Sequence, residues 1–253
     1  MCVAAVAWKA HPDWQLVAIG NRDEYHDRPA APLARWQEPQ GILAGQDLRS
    51  GGTWLGVSEE GRFALVTNLR GFGDPDLTLA SRGSLMTGLL SSKGAYADAR
   101  TANIRRFNPF NLIFADGDEA FFLSNRPEEV RSSLVPGVYG LSNSALDAPW
   151  PKTLQLKSAL LDWLDCADTG AQDLLAQLRS ESPADTGHEP HQRPELMDQA
   201  SNSAPFIRNP VYGTRCSTVI AIDARGSGIA IERSFTPGGD TDGEKRMAFR
   251  WPG

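Results

Sequence analysis

Cysteine is scarce in this chain of 253 residues, which contains three: Cys2, Cys166 and Cys216. Their number is odd, their spacings are wide and no CxxC pair occurs, so the sequence excludes a disulfide framework. Such cysteine usage is typical of a protein from a reducing compartment.

Histidine is almost as scarce, with four residues. His188 and His191 have His-x-x-His spacing, but Pro190 lies between them and no cysteine is near. A structural zinc site needs four clustered ligands, so we expect no metal site. Walker and dinucleotide-binding glycine patterns are also missing, and we expect no cofactor.

Long apolar runs and an excess of positive charge are missing too. No apolar stretch approaches the ~20 residues of a membrane span, so we expect no stable membrane insertion. Asp13 and Arg22 interrupt the apolar N-terminal stretch, which lacks a basic flank, so we expect no signal peptide and a cytoplasmic protein. The net charge of −6 argues against a nucleic-acid partner, which would need a basic face.

The apolar pattern predicts strands and helices in alternating groups. Helices are predicted at 79–107, broken at Gly94, at 151–164 with Leu154, Leu161 and Leu164 on its apolar face, and at 171–178. The strands are predicted at 3–8, 16–19, 53–57, 62–67, 110–115, 120–123, 138–141, 218–223 and 229–235.

This order of elements has no regular βαβ alternation and favours an α+β fold of two largely antiparallel sheets stacked face to face, with helices outside. We expect residues 1–253 to form a single domain. The polar segment 180–205 contains four prolines and is predicted to be a mobile loop, and the tail from 236 is predicted to be loose.

Cys2 is the first candidate for chemistry. Removal of Met1 would leave a cysteine that carries both a thiol and a free α-amine. A thiolate is a strong nucleophile, and an α-amine with a pKa of roughly 7.7–8.0 can act as its base. The alternative is that Cys2 is a small residue at the start of a buried strand.

Polar residues stand at several predicted strand ends. Asn21, Arg22, Asp23 and Glu24 follow the second strand, and in an antiparallel hairpin at least one of them can point back toward Cys2. The alternative for this charged run is a solvated turn.

Two asparagines and an arginine stand at other predicted strand ends. Asn68 follows Thr67, and Asn143 lies in a Ser-Asn-Ser run; such amides serve either as turn formers or as oxyanion donors. Arg215 precedes a late strand and can orient a carboxylate or thiolate. Its neighbour Cys216 is interpreted as a packing residue rather than a second nucleophile.

Taken together, these blocks resemble the NRDE-motif family, the transport-and-Golgi-organisation family, over residues 1 to about 235. The residues that carry the resemblance are Met1-Cys2, Gly20-Asn21-Arg22-Asp23-Glu24-Tyr25, Asp27-Arg28-Pro29, Gly51-Gly52-Thr53-Trp54-Leu55-Gly56, Thr67-Asn68, Ser81-Arg82-Gly83, Leu141-Ser142-Asn143-Ser144 and Gly213-Thr214-Arg215-Cys216-Ser217-Thr218.

That family in turn resembles the N-terminal-nucleophile cysteine amidases, which implies a four-layer αββα sandwich. The resemblance implies that Cys2 is the nucleophile with its own α-amine as base, and that Asp23 holds the amine or thiol. It further assigns Asn68, Asn143 and Arg215 to catalysis. The supporting or substrate-binding residues are expected to be Asn21, Arg22 and Thr67, although the amidases place their early arginine before an Asn rather than next to the Asp.

Two functions remain open at this point. The first is a cysteine N-terminal-nucleophile hydrolase that cleaves a C–N amide bond of a small molecule. The second is a non-catalytic carrier for an apolar ligand, an acyl lipid or haem, on the same fold. Loss of Met1 separates them, because a hydrolase requires the free amine and a carrier does not.

Overall fold

The computed structural model describes residues 2–166, 170–182 and 204–252. Most of the loop predicted at 180–205, from 183 to 203, lies outside the described residues. In chain order the elements are β1 (Cys2–His11), β2 (Trp14–Tyr25), β3 (Ala30–Arg35), β4 (Ile42–Asp47), β5 (Leu55–Ser58), β6 (Arg62–Asn68), α1 (Arg82–Ser91), β7 (Phe110–Asp116), β8 (Glu119–Ser124), β9 (Val130–Ser133), β10 (Gly137–Leu141), α2 (Pro151–Leu164), α3 (Leu174–Gln177), β11 (Tyr212–Asp223), β12 (Ser227–Phe235) and β13 (Thr241–Arg250).

The strands form two antiparallel sheets, which we call sheet A and sheet B. Sheet A has the order β10-β1-β2-β11-β12-β13, and sheet B runs from β3 to β9 in chain order. Sheet B is therefore a meander of neighbouring strands, whereas sheet A joins the start of the chain to its end. The predicted α+β fold with two antiparallel sheets is confirmed.

Three apolar clusters separate four layers. The central cluster contains residues of both sheets, the second lies between sheet B and α1, and the third lies between sheet A and the helices α2 and α3. Sheet A is covered on both faces because strands such as β1 are apolar on both faces. Ala4 and Val6 belong to the central cluster, while Val3 and Ala5 pack under α2. The layers are the predicted αββα sandwich.

Helix α2 has the predicted bounds but a different buried face. Pro151 occupies its first turn, where its missing N–H costs nothing. Leu161 is 47% exposed, so the prediction that it faces the core is wrong. The buried side chains are those of Lys152, Thr153, Leu156, Leu160, Trp163 and Leu164.

The second helix predicted within 79–107 does not form. After α1 ends, this segment contains only short 3₁₀ turns at Gly94–Tyr96 and Ile104–Arg106. The side chains of Asp98 and Asn103 accept hydrogen bonds from nearby backbone N–H groups at 2.8 and 3.3 Å, and such local bonds compete with a continuous helix.

The prediction of a loose tail from 236 is also wrong. β13 pairs with β12 along its length and forms the edge of sheet A. Phe249 and Trp251 are buried beneath this edge, and the Trp251 N–H donates to the Gly226 carbonyl at 2.8 Å. The polar composition of the segment reflects its exposed edge position rather than disorder.

Glu232 is a buried acid that connects the two sheets. From β12 it accepts hydrogen bonds from the Leu33 N–H of sheet B at 2.6 Å and from the Thr218 hydroxyl at 3.1 Å. Burial raises the pKa of Glu232, while these hydrogen bonds and the charge of Arg22 oppose the rise. The net result is a carboxyl group that resists ionisation in the folded chain.

The Glu232→Gln substitution should therefore change how stability depends on pH. Because the folded pKa lies above the unfolded one, the stabilisation by Glu232 is complete below the unfolded pKa and declines as pH rises toward the folded value. The difference in unfolding free energy should shift in favour of the variant as the pH rises from about 4, where an unfolded glutamate begins to titrate, through neutrality. Urea denaturation across this range measures it, and a difference that is constant with pH would contradict the assignment.

Gly52 permits a close approach between α1 and sheet B. A Cβ on Gly52 would lie 2.3 Å from the backbone of Gly83 in the first turn of α1. We expect Gly52→Ala to reduce the unfolding free energy by about 1–3 kcal/mol, the usual cost of overpacking. Gly243→Ala is the matched control, because a Cβ there meets nothing within 4 Å. Equal urea midpoints for the two variants would show that the contact is not needed.

Candidate active site

Three neighbouring strands of sheet A place Cys2, Arg22 and Cys216 in one row. Cys2 is the register partner of Arg22, and Arg22 is also the partner of Cys216. Side chains alternate along a strand, so Cys2 shares the face of Ala4, which lies between the sheets. The thiol at the start of β1 is partly exposed, while that of Cys216 is buried.

Residues from both sheets meet at the start of β1. The Ser142 hydroxyl, just after β10, donates to the Cys2 carbonyl at 3.0 Å. The Thr67 hydroxyl, near the end of β6, donates to the Ser142 carbonyl at 2.6 Å. Thr67, predicted as a supporting residue, thus fixes the segment that holds the Cys2 backbone.

The two predicted asparagines are joined to each other. The side-chain amide of Asn143 donates to the Asn68 carbonyl at 2.7 Å, and the Arg70 N–H donates to the Asn143 carbonyl at 3.1 Å. Asn143 is buried, whereas Asn68 is exposed at the end of β6. Asn143 therefore orders the backbone of this corner, and the side chain of Asn68 is accessible from solvent.

Asp23 lies on the other face of sheet A, next to the layer of α2. It is buried, and the Thr214 hydroxyl donates to its Oδ1 at 2.7 Å. Burial raises the pKa of Asp23, and the positive charges of the amino terminus, Lys152 and Arg22 oppose the rise. The carboxyl group is thus surrounded by cations at the strand end where Cys2 begins.

Arg215 lies on β11, two strands away from β1. Its Nη1 donates to the carbonyls of Tyr25 and Arg28, both at 2.9 Å, which fixes the turn that follows β2. The charged groups that affect it include Arg22 and Glu24. The structure therefore places Arg215 beside Arg22, and a catalytic role for it stays a prediction.

Asn21 and Arg22 have supporting contacts on opposite faces of sheet A. The Asn21 amide donates to the Leu178 carbonyl at 2.8 Å, which attaches the outer helical layer. Arg22 Nη2 donates to Asp47 Oδ2 at 2.8 Å, and its guanidinium stacks on Trp54, 4.4 Å from the ring centroid. These contacts account for Asn21 and Arg22 as residues that hold the two sheets and the outer layer together.

A cavity of about 290 Å³ opens beside Arg22. Trp54 lines it from the segment before β5, and Cys216 and Glu232 line it from sheet A. Arg22 is the register partner of Cys2, so this space borders the row that contains the thiol. A small molecule could occupy it.

Sequence reasoning gave no role in the site to two basic residues near Cys2, although one of them, Arg82, stands in a block that carries the family resemblance. Arg82 is the first residue of α1 and Lys152 the second residue of α2, and each interacts electrostatically with Cys2. Lys152 is fully buried, and its Nζ has no hydrogen-bond partner among the described residues. Burial lowers the pKa values of both Arg82 and Lys152. The sequence contained a sign of their role, because a cation in the first turn of a helix opposes the helix dipole and is unusual there.

Within residues 2–166, 170–182 and 204–252, no cluster of three or more His, Cys, Asp or Glu side chains is arranged to hold a metal ion. In the same part of the chain, no helix combines the length and the apolar character needed to cross a membrane. The groups that the structure gathers are a thiol, a carboxyl group, amides and cations.

Solved structures with the same fold include conjugated bile acid hydrolase from Clostridium perfringens. A mutant of that enzyme with alanine in place of a cysteine at its position 2 aligns with a TM-score of 0.54 and 7% identity, covering 97% of this chain and 92% of that chain. A second variant of the same enzyme, in which an arginine is replaced by leucine, aligns with a TM-score of 0.51 and 8% identity, covering 100% and 97%. This likeness confirms the predicted resemblance of the fold to N-terminal-nucleophile hydrolases.

Sequence comparison identifies relatives over nearly the whole chain. The Transport and Golgi organization protein 2 homolog of Bos taurus is 33% identical over 260 residues, and the homolog of Homo sapiens is 33% identical over 264 residues. Each comparison covers 93% of this chain and 93% of the relative. The family profile of Transport and Golgi organisation 2 matches residues 1–237. The chain therefore belongs to the Transport and Golgi organisation 2 family.

Proposed function

We propose that the protein is a cysteine hydrolase of the N-terminal-nucleophile type that cleaves a C–N amide bond of a small molecule. The observation that carries the proposal is the partly exposed thiol of Cys2 at the start of β1. Asp23 follows Arg22, the register partner of Cys2, near the end of β2, and Asn68 ends β6, which is bonded to the Ser142 segment beside Cys2. A nucleophile, a carboxyl group and an amide donor are the groups that amide hydrolysis requires.

Removal of Met1 is the first step of this proposal, because it frees the α-amine of Cys2. The amine accepts the thiol proton, and the thiolate sulfur attacks the carbonyl carbon of the substrate. The ammonium then donates the proton to the leaving nitrogen as the C–N bond breaks. Water hydrolyses the thioester, which releases the acid and restores the thiol.

Asp23 has the position to stabilise the ammonium form of this amine. The positive charge of the amino terminus, which is carried by Met1 before its removal, lowers the pKa of Asp23. Removal of Met1 would transfer this charge to the amine of Cys2, one residue along the chain, and this supports the assignment of Asp23. The hydrogen bond from Thr214 fixes the carboxylate. Because the carboxyl group is buried, its attraction for the ammonium is screened less than it would be in water.

Asn68 is our candidate for the donor to the oxyanion. Its side chain is exposed at the end of β6, and Asn143 fixes its backbone through the bond to the Asn68 carbonyl. Loss of one such donor typically reduces turnover by about 10²–10³-fold. Asn143 is then a positioning residue rather than a group that touches the substrate.

The likeness to the conjugated bile acid hydrolase supports the proposed class of reaction but does not identify the substrate of this chain. Their names state that they hydrolyse conjugated bile acids, and in one of them a cysteine at position 2 has been changed to alanine. At 7% and 8% identity the likeness concerns the fold, so the substrate of this chain has to be found by experiment.

Cys2 and Cys216 should differ in their reactivity toward iodoacetamide. Burial raises the pKa of Cys216 well above its usual value, and the thiol is covered, whereas Cys2 is partly exposed. In the folded protein at neutral pH, peptide mass spectrometry should find Cys2 modified while Cys216 remains free. Both should react in guanidinium chloride. Equal rates in the folded protein would remove the distinction between a reactive and a packing cysteine.

The Cys2→Ala substitution should abolish turnover of any amide that the protein hydrolyses. The probe is a panel of N-acyl-4-nitroanilides of different acyl length, with release of nitroaniline as the readout. Cys2→Ser should lower turnover by at least ~10³-fold, since a hydroxyl is a far weaker nucleophile at neutral pH.

Intact-mass measurement accompanies this experiment. The active protein should have lost Met1 and should gain one acyl group on Cys2 during turnover. A substrate that Cys2→Ala still hydrolyses would refute the proposed mechanism. A protein that retains Met1 and binds acyl compounds without turnover would favour the carrier.

A further inference from the structure

The Cys2 corner has a surplus of positive charge that the hydrolysis of a neutral amide does not require. The helices α1 and α2 both begin with a basic residue in the first turn, Arg82 and Lys152, and neither has an acidic residue there. A cation at this end of a helix is unfavourable, because the first turn carries the positive end of the helix dipole. Their placement therefore needs a reason other than helix stability.

Hydrogen bonds place Arg82 at the same corner as Asn68. The Arg82 Nη1 donates to the Pro109 carbonyl at 3.1 Å, and the Leu69 N–H donates to that same carbonyl at 3.0 Å. Arg70 follows at once, and its N–H donates to the Asn143 carbonyl. Arg70 and Arg82 are thus partly exposed groups beside the segment that holds Cys2.

Lys152 lies deeper, on the α2 side of the same strand ends. The next residue, Thr153, packs against Gly140 of β10 so closely that a Cβ on that glycine would lie 2.2 Å from its methyl group. The Lys152 ammonium is buried and, within the described parts of the chain, has no acceptor. Burial of a charged group without an acceptor costs free energy of folding, and binding of an anion would offset this cost.

The nearby acids do not cancel this charge. Glu24 and Asp47 form ion pairs with Arg22 and Arg28, at distances between 2.5 and 4.0 Å, so these four charges balance. Lys152 interacts electrostatically with Asp23, and Arg82 interacts with Glu24, which is already paired with Arg22 and Arg28. The corner therefore keeps positive charge even when Asp23 is ionised.

We propose that the corner around the Cys2 thiol binds a carboxylate next to the atom that the thiol attacks, and that the partly exposed Arg82 and the buried Lys152 select its negative charge. As a statement about substrate, this rests on the proposed function: the scissile amide has a carboxylate close to its carbonyl. As a statement about charge selection at Cys2, it holds whether or not the protein is a hydrolase.

The test compares two alkylating reagents of similar size, iodoacetate and iodoacetamide, which differ by one negative charge. Their rate ratio at Cys2 is measured by peptide mass spectrometry. Any change in the ionised fraction of the thiol affects both reagents equally and cancels in the ratio. The ratio therefore reports charge selection and is independent of turnover.

We expect the iodoacetate-to-iodoacetamide ratio at Cys2 to fall by about tenfold in Lys152→Met, because one nearby charge is lost in a poorly solvated site. Arg82→Gln should lower the ratio in the same direction. Lys93→Met is the control, since Lys93 is exposed and its removal changes the net charge by the same amount. High salt should reduce the ratio in the natural protein.

An unchanged ratio in both Lys152→Met and Arg82→Gln would overturn the proposal. If Lys152→Met does not fold, Arg82→Gln and the natural protein decide. In the natural protein the ratio at Cys2 must exceed that at Cys166, which is exposed in the same molecule, and equal ratios would refute charge selection. A high ratio at Cys2 without any amide turnover would sustain the anion site and refute the hydrolase instead.

Discussion

The buried ion pair between Arg22 and Asp47 is the interaction on which the geometry of the site depends. Arg22 belongs to sheet A and Asp47 to sheet B, and only 5% and 10% of their side chains are exposed. Burial raises the pKa of Asp47, but hydrogen bonds from Arg28 and the Ser50 N–H outweigh it and leave the pKa below its usual value. A buried pair offsets its desolvation only with such additional bonds.

This ion pair joins sheet A to sheet B close to the strand ends that carry the candidate site residues. Arg22 is the register partner of Cys2, so the bond to Asp47 fixes the position of the start of β1 relative to sheet B. The end of β6 then lies within reach of Ser142, through the Thr67 hydroxyl.

Sequence reasoning found the parts of the site that lie at strand ends of the chain's own hairpins. The apolar periodicity of β1 and β2 predicts a hairpin, which brings Cys2 and the polar run at residues 21–24 to the same end of sheet A. Their chemical roles were implied by the position of Cys2 after Met1 and by the family resemblance, and they stay predictions. The edge strand β13 and the irregular segment after α1 were not, because local pairing and side-chain bonds decide them rather than periodicity. Lys152 was missed because its burial results from the packing of α2 on β10, which no local pattern encodes.

Lys152 lowers the folding stability of the chain at this corner. Its ammonium loses hydration without gaining an acceptor from the described residues, and it stands at the unfavourable end of a helix. Asp23 carries a related cost, since burial raises its pKa. Natural sequences depart from the rules of stability mainly at functional sites. Two such departures beside one partly exposed thiol distinguish this corner from Cys216, which lies in the same row but is buried against a carboxyl group that resists ionisation.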